Sequence, residues 1–371
     1  MPEPPHTFPA RGPPPWDDGG AQVAQFVQDD QARAILGQMW LNFLSVLFLV
    51  RAAPFTDRMW TMGLPIALAW LPAMAAAQLP VIDAHSQFDH TISPQHLVKT
   101  LREADVQRVL LATRGRAELQ TLTGLARQHP GCVVPMVRSK SNAYTQGTKG
   151  YYRQLEEQLA EPEFKAMAEL ILTHNQKGNR ADEVYLPAAA PQVQAAVGAA
   201  KARQWPVVLH YEFRWIAQEL GAAELQAKLA ELRSVLRSLA PLPVGLTHVA
   251  QLDAVQARAL LQEHPNLFLL LSHANSLIND GSKQPWTNVV ESGVIGAEWV
   301  ALMQQYPRQF VLALDNVFPE HWSSLYAQQV ALWRQALGAL GPELARAIAH
   351  DNAVRIYRLE PAAQGCSGSV N

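Results

Sequence analysis

Val81-Ile82-Asp83-Ala84-His85-Ser86-Gln87 is a short β-branched and aliphatic run that turns polar where it ends. The same form recurs downstream. Apolar runs fall at Arg108 to Ala112, Cys132 to Val137, Glu169 to Thr173, Pro206 to Leu209, Val244 to Thr247, Leu267 to Leu271 and Phe310 to Leu314. Between them lie helical segments, including Pro94 to Ala104, Ala117 to Gln128, Tyr151 to Glu161, Ala190 to Arg203, Ala222 to Leu239 and Leu252 to Glu263. Strand and helix signals in alternation predict βα units and a parallel sheet. Pro130-Gly131, Pro206 and Pro243 stop helices just before new runs. Eight strands predict an α/β chain closed into a (β/α)8 TIM barrel over residues 79–360; such a barrel needs about 250 residues. An open, doubly wound sheet is the alternative.

The ends of the runs carry the chemistry. Asp83, His85 and Gln87 close the first run, Glu169 and His174 flank the fourth, and His210 with Glu212 follows the fifth. His248 ends the sixth, Ser272-His273 the seventh and Asp315-Asn316 the eighth. A barrel gathers the C-terminal ends of its strands at one mouth, so these residues would converge. A single histidine in such a place is more often structural; several together with an aspartate predict a shared site. His, Asp and Glu are ligands for a divalent ion such as Zn2+ with a position open to water. Such an ion creates a nucleophile near neutral pH, and a free His or Asp would serve as its base. No nucleophile elbow, phosphate loop or dinucleotide fingerprint competes with this reading.

The ordered set resembles the amidohydrolase superfamily, in the amidohydrolase-related branch that includes aminocarboxymuconate-semialdehyde decarboxylase. It rests on Val81-Ile82-Asp83-Ala84-His85, His210 after Pro-Val-Val-Leu, His248, Asp315 and the closing run Asp351-Asn352-Ala353-Val354-Arg355-Ile356-Tyr357. The resemblance implies metal ligation by His85 and His210, with Asp315 binding metal or accepting a proton. It implies that His248 orients or activates the water, or binds a second ion, and that Asn352 is structural. Gln87 departs from the family's His-x-His on strand one. Gln87 could ligate weakly through its carbonyl, Glu169 or Glu212 could replace the missing ligand, or the site could hold no metal.

The expected activity is hydrolysis of a small-molecule ester, lactone or amide, with His248 or Asp315 taking the proton. Non-oxidative decarboxylation on the same fold is the alternative enzyme, and a barrel that only binds a small molecule is the alternative without catalysis. Glu212, His174, His273 and Arg214 are candidate substrate contacts. Asp83 could equally bond a loop amide, and Glu212 could pair with Arg214. Arg114, Arg138 and Arg214 are the cations near strand ends that could hold a substrate carboxylate, which would favour decarboxylation.

Over 371 residues, 49% are hydrophobic and 17% charged, a balance that supports a large core. The formal net charge of -2 gives no electrostatic case for nucleic acid as a partner. A small-molecule substrate is expected, and a homodimer is compatible. Residues 1–58 read as a disordered or mis-assigned extension, with a true start at Met39, Met59 or Met62. The stretch 59–77 reads as a secretory leader ending in Ala75-Ala76-Ala77, which would make Gln78 the mature N-terminus and place the protein in the periplasm or outside the cell, without stable membrane insertion. A membrane anchor or a packed cytoplasmic helix is the alternative. Cys132 reads as a small buried residue and Cys366 as part of a flexible tail over 361–371, so no disulfide between them is expected.

Overall fold

The computed structural model describes residues 78–177, 182–280, 282, 284–361 and 365–366. The expected extension over 1–58, the candidate leader over 59–77 and the loop residues Gly178, Asn179 and Arg180 lie outside the described residues. Among the described residues no helix is long and apolar enough to cross a membrane.

Eight parallel strands carry the fold: β1 (Ile82–Asp89), β2 (Arg108–Arg114), β3 (Val133–Pro135), β4 (Met167–Ile171), β5 (Val207–His210), β6 (Val244–Leu246), β7 (Leu267–Leu270) and β8 (Phe310–Val311). The main intervening helices are α1 (Pro94–Glu103), α2 (Leu119–Gln128), α3 (Lys149–Leu159), α4 (Pro191–Arg203), α5 (Ala222–Leu239), α6 (Ala254–Glu263), α7 (Ala297–Gln305) and α8 (Ser324–Gly338). Each apolar run in the sequence became a strand, within a few residues. The helices begin where the sequence supplies caps. Ser93 accepts from the His96 amide ahead of Pro94, and Asp253 with Gln256 forms a capping box at α6.

The strands pair as β1-β2-β3 and as β4-β5-β6-β7-β8. Backbone bonds join the two sets at both seams. Val137 bridges to Met167, and its amide donates to the Ala166 carbonyl at 2.9 Å. At the other seam the Ala84 amide donates to the Leu312 carbonyl at 3.1 Å, and the Asp315 amide to the His85 carbonyl at 2.7 Å. The ring is therefore closed, as eight strands predict. Asp83 reinforces this second seam. Its buried carboxylate accepts from the Leu314 amide, Ser86 Oγ and Tyr326 Oη. Burial pushes its pKa up to about 6. Asp83 thus takes the loop-amide role that competed with a part in the site.

Ile82, Ala84, Leu110, Ala112, Val134, Met136, Ala168, Val208, Phe268, Leu270, Val311 and Ala313 fill the inside of the barrel. A Cβ at Gly245 would meet the Phe268 ring at 2.5 Å, so this glycine makes room for the largest side chain of the interior. Ala353, Ile356 and Tyr357 of the closing helix (Asn352–Tyr357) plug the lower end. Asn352 Nδ2 donates to the carbonyls of Pro307 and Phe310, which gives it the structural part the resemblance implied.

The two cysteines are joined, which corrects the expectation of separate thiols. Cys132 and Cys366 form a disulfide with Cα atoms 4.5 Å apart. The reason is topological. Cys132 directly precedes β3 at the lower rim, and the chain beyond the closing helix returns there. The Cys366 amide donates to the Gln107 carbonyl at 2.8 Å, and Arg102 Nε donates to the Cys366 carbonyl at 3.2 Å. At this point the tail is buried and held.

Candidate functional site

Local irregularities decide which side chains face the barrel axis. In β1 the pairing with β2 slips between Asp83 and Ser86. Such a bulge reverses the strict alternation of faces. Ile82 and Ala84 therefore point inward, and so do His85 and Gln87 beyond the slip, while Ser86 turns to Asp83 on the outer side. β4 slips against β5 between Met167 and Leu170. Glu169, at φ +25°, follows the inward Ala168 into the same centre. In β5 no slip intervenes, and Val208 and His210 share a face.

The backbone is left-handed at several of these points. Glu169, His248, His273 and Asp315 all have positive φ, and His248 through Gln251 form a run of four such residues. This conformation costs non-glycine residues on the order of 1 kcal/mol or more each, and it gathers at functional sites. Side-chain bonds hold it in place. Ser139 Oγ donates to the carbonyls of Ala168 and Glu169, and Ser272 Oγ accepts from the His248 amide at 2.9 Å.

His85, Glu169, His210, His248 and Asp315 meet at the centre, contributed by β1, β4, β5 and the segments after β6 and β8. His85 Nε2 lies 3.4 Å from Asp315 Oδ1 and 3.8 Å from Glu169 Oε2. His210 Nδ1 is 2.7 Å from Glu169 Oε1, and its Nε2 is 3.0 Å from Glu212 Oε1. His248 Nε2 is 3.3 Å from Asp315 Oδ2, and its Nδ1 is 3.3 Å from the Ser272 carbonyl. All of these side chains are buried.

The electrostatics follow from this crowding. Burial opposes charge on His85 and His210, but neighbouring carboxylates hold both pKa values above the ordinary imidazole value. Burial likewise resists ionisation of Glu169, yet Lys140 and His210 hold its carboxyl well below the usual range. His248 goes the other way, because burial and then the neighbouring His210 and His273 keep it well below an ordinary imidazole.

The outlying candidates sort differently. Glu212 supports His210 and also accepts from Lys177 Nζ at 3.0 Å and the Asn175 amide at 2.9 Å. Its partner is therefore Lys177 rather than Arg214, because the loop after β4 folds back over β5. Arg214 donates to the Trp286 carbonyl. His273 Nε2 meets the Asp315 carbonyl at 3.1 Å, and burial lowers its pKa to about 4. His174 lies beside His210 with ring centroids 5.2 Å apart, and burial followed by the Lys177 charge takes its pKa down to about 2. Gln87 does not offer its carbonyl to the carboxylates. Its Nε2 donates to Glu169 Oε2 and to Asp315 Oδ1, each at 2.9 Å.

Beside the centre lies a cavity of about 440 Å3 whose wall includes Arg114, Arg138, Lys140, Asn142 and His174. Lys140 Nζ is 3.5 Å from Glu169 Oε2, so its ammonium belongs to both cavity and centre. Sequence reasoning missed Lys140 and Lys177. The position of Lys140, two residues past Arg138 at a strand end, was the available signal. Lys177 lies in a polar loop with no such mark.

The donors present fit a divalent cation. Neither buried ring nitrogen of His85 has a hydrogen-bond partner, although two carboxylates stand beside the ring. His85, Glu169 and Asp315 offer ligand atoms within 4.8 Å of one another, and Glu169, His210 and His248 do the same. The Nε2–Glu212 contact would orient His210 as carboxylates orient metal-bound imidazoles.

A family model described as amidohydrolase matches residues 82–359. The chain belongs to the amidohydrolase family. Family members are metal-dependent hydrolases or decarboxylases. No curated protein matches this amidohydrolase. Among solved structures it is similar to dihydroorotase from Campylobacter jejuni, at 13% identity and a TM-score of 0.47, over 76% of this chain and 84% of that one. It is also similar to a Pseudomonas putida protein assigned provisionally as a 2-pyrone-4,6-dicarboxylic acid hydrolase, at 17% identity and 0.46, over 76% and 99%. A 2,6-dihydroxybenzoate decarboxylase aligns at 12% identity and 0.45, over 76% and 99%. At these scores the likenesses say nothing of this amidohydrolase's reaction.

Proposed function

We propose that the protein hydrolyses an ester, lactone or amide bond of a small molecule at the upper mouth of the barrel. His85, Glu169, His210 and Asp315 would hold a divalent ion, with zinc the first candidate. The carrying observation is that His85, Glu169 and Asp315 offer ligand atoms within 4.8 Å of one another, and Glu169 does the same with His210 and His248, beside a cavity of substrate size. A bound ion supplies Lewis acidity at the scissile carbonyl and lowers the pKa of water.

The chain's own residues account for the rest. His248 can donate Nδ1–H to the Ser272 carbonyl, leaving Nε2 to accept a proton beside Asp315, or carry the proton on Nε2 towards Asp315 Oδ2. A proton can therefore pass between His248 and Asp315 without ring movement. Glu212 and Ser272 fix the two imidazoles. Trp286 packs on His248 with ring centroids 4.7 Å apart and limits water on that side. Arg138 and Lys140 line the cavity and suit a carboxylate on the substrate.

The same cations support a second reading, decarboxylation, in which the anchored carboxylate is the group lost. The test is elemental analysis followed by turnover of carboxylate-bearing esters, lactones, amides and free aryl acids. Hydrolysis with about one ion per chain, lost in Asp315→Asn, is the expected result. Carbon dioxide release from the acids would favour the second reading, and a chain that takes up no ion would refute both.

We also propose export through the leader at 59–77. The support is the Cys132–Cys366 disulfide, since such bonds persist in oxidising compartments. N-terminal sequencing of the protein from cells should give Gln78. An intact Met1 in the cytoplasmic fraction would overturn the proposal.

A further inference from the structure

Gln87 is held at both sides of its backbone. Its amide donates to the Asn316 carbonyl at 2.8 Å, and its own carbonyl accepts from Trp322 Nε1 at 3.1 Å. This fixes the backbone, and the side chain is held at the centre by the bonds of its amide to Glu169 and Asp315. Rotation about the last torsion, which exchanges Nε2 and Oε1, is the smallest motion that changes what the amide presents to the centre. That torsion is broad and roughly two-fold for a glutamine.

The two orientations have opposite electrostatic sense. In the orientation observed, Nε2 donates to Glu169 Oε2 and Asp315 Oδ1 together, while Oε1 is buried with no partner. Two carboxylates are thereby linked by the two hydrogens of one neutral amide. In the reverse orientation Oε1 would face the same two carboxylates. That arrangement is repulsive unless a cation stands between them, and with a cation it adds a neutral oxygen ligand. A void of about 10 Å3, lined by His85, Gln87, Glu169 and Lys140 among others, lies beside the amide.

We propose that Gln87 is a two-position element that competes with the cation for Glu169 and Asp315. With Nε2 inward it holds the carboxylate pair together in the cation-free protein. With Oε1 inward it serves the loaded centre. Loading therefore sacrifices two hydrogen bonds, and the consequence is a centre that folds without metal and exchanges its ion readily. This inference rests on the metal reading of the site given above.

The test compares wild type with Gln87→Glu, which keeps the shape and removes both donor hydrogens. Mn2+ and Zn2+ are titrated by calorimetry into EDTA-stripped protein, and melting is followed with and without the ion. The expected result is binding at least tenfold tighter in the variant, with a lower melting temperature in EDTA. Equal affinity and equal melting in EDTA would overturn the alternation and leave the metal reading standing. Failure of both proteins to bind either ion would remove the metal reading and the alternation with it. Should Q87E not fold in EDTA, the wild type alone decides. Its Gln87 side-chain amide proton signals should move on stoichiometric Zn2+, and signals that stay in place would refute the proposal.

Discussion

Removing the Cys132–Cys366 disulfide should lower the stability of the barrel domain by about 5 kcal/mol. The bond spans a sequence separation of 234 residues. Constraint of the unfolded chain scales with the logarithm of that loop, and the chain-entropy relation gives an entropy of roughly 18 cal/mol/K, or about 5 kcal/mol at 25 °C. A domain of this size unfolds with an entropy near 0.6 kcal/mol/K, so the melting temperature should fall by about 9 °C. The perturbation is Cys132→Ala with Cys366→Ala, which avoids a lone buried thiol. The assay is thermal unfolding of oxidised wild type, reduced wild type and the double variant. The last two should melt together, well below the first. If all three melt within about 2 °C, the loop-closure reasoning is refuted. Two titratable thiols in unreduced, denatured wild type would refute the disulfide itself.

Four further outcomes are expected. Gly245→Ala should destabilise the domain by about 1–3 kcal/mol in denaturant unfolding, because the new Cβ would lie 2.5 Å from the Phe268 ring; a neutral result would mean that the interior can repack there. Asp253→Ala should cost about 1 kcal/mol by loss of the α6 capping box, read by the same method. Burial lowers the pKa of His264 below the ordinary 6.5. The unfolded chain therefore binds the extra proton, and stability falls as pH drops through 6.5. His264→Gln should flatten that part of the melting-temperature profile, and an unchanged slope would assign it elsewhere. Lys140→Met should raise KM for a carboxylate substrate more than tenfold, with less effect on its methyl ester; equal effects on both would remove the anion-anchoring role.

The strands were legible because aliphatic runs alternate with helical segments, several of which end at a Pro or Gly. The meeting of His85, His210, His248 and Asp315 was legible because a closed barrel admits one upper mouth. Much of the site's detail was not. The slips in β1 and β4 decide that His85, Gln87 and Glu169 face inward, and they depend on pairing with neighbours distant in sequence. The orientation of Gln87 depends on two carboxylates, 82 and 228 residues away. Glu212 lies two residues beyond His210 in the sequence and bonds to its Nε2. Its cation, Lys177, comes from a loop whose path no local pattern fixes. The disulfide was hidden for a similar reason, since only the return of the chain to the lower rim brings Cys366 to Cys132.

The left-handed residues at the strand ends set stability against activity. Val249 and Ala250 adopt φ of 44° and 53°, in a region where glycine is free of strain. Ala250→Gly should relieve part of that strain, yet the same turn aims His248 at Asp315. A protein selected only for heat resistance would be expected to relax at these positions first. Variants recovered from such a selection should gain melting temperature while losing turnover. The strained turn is thus where selection for robustness and selection for chemistry pull the sequence in opposite directions.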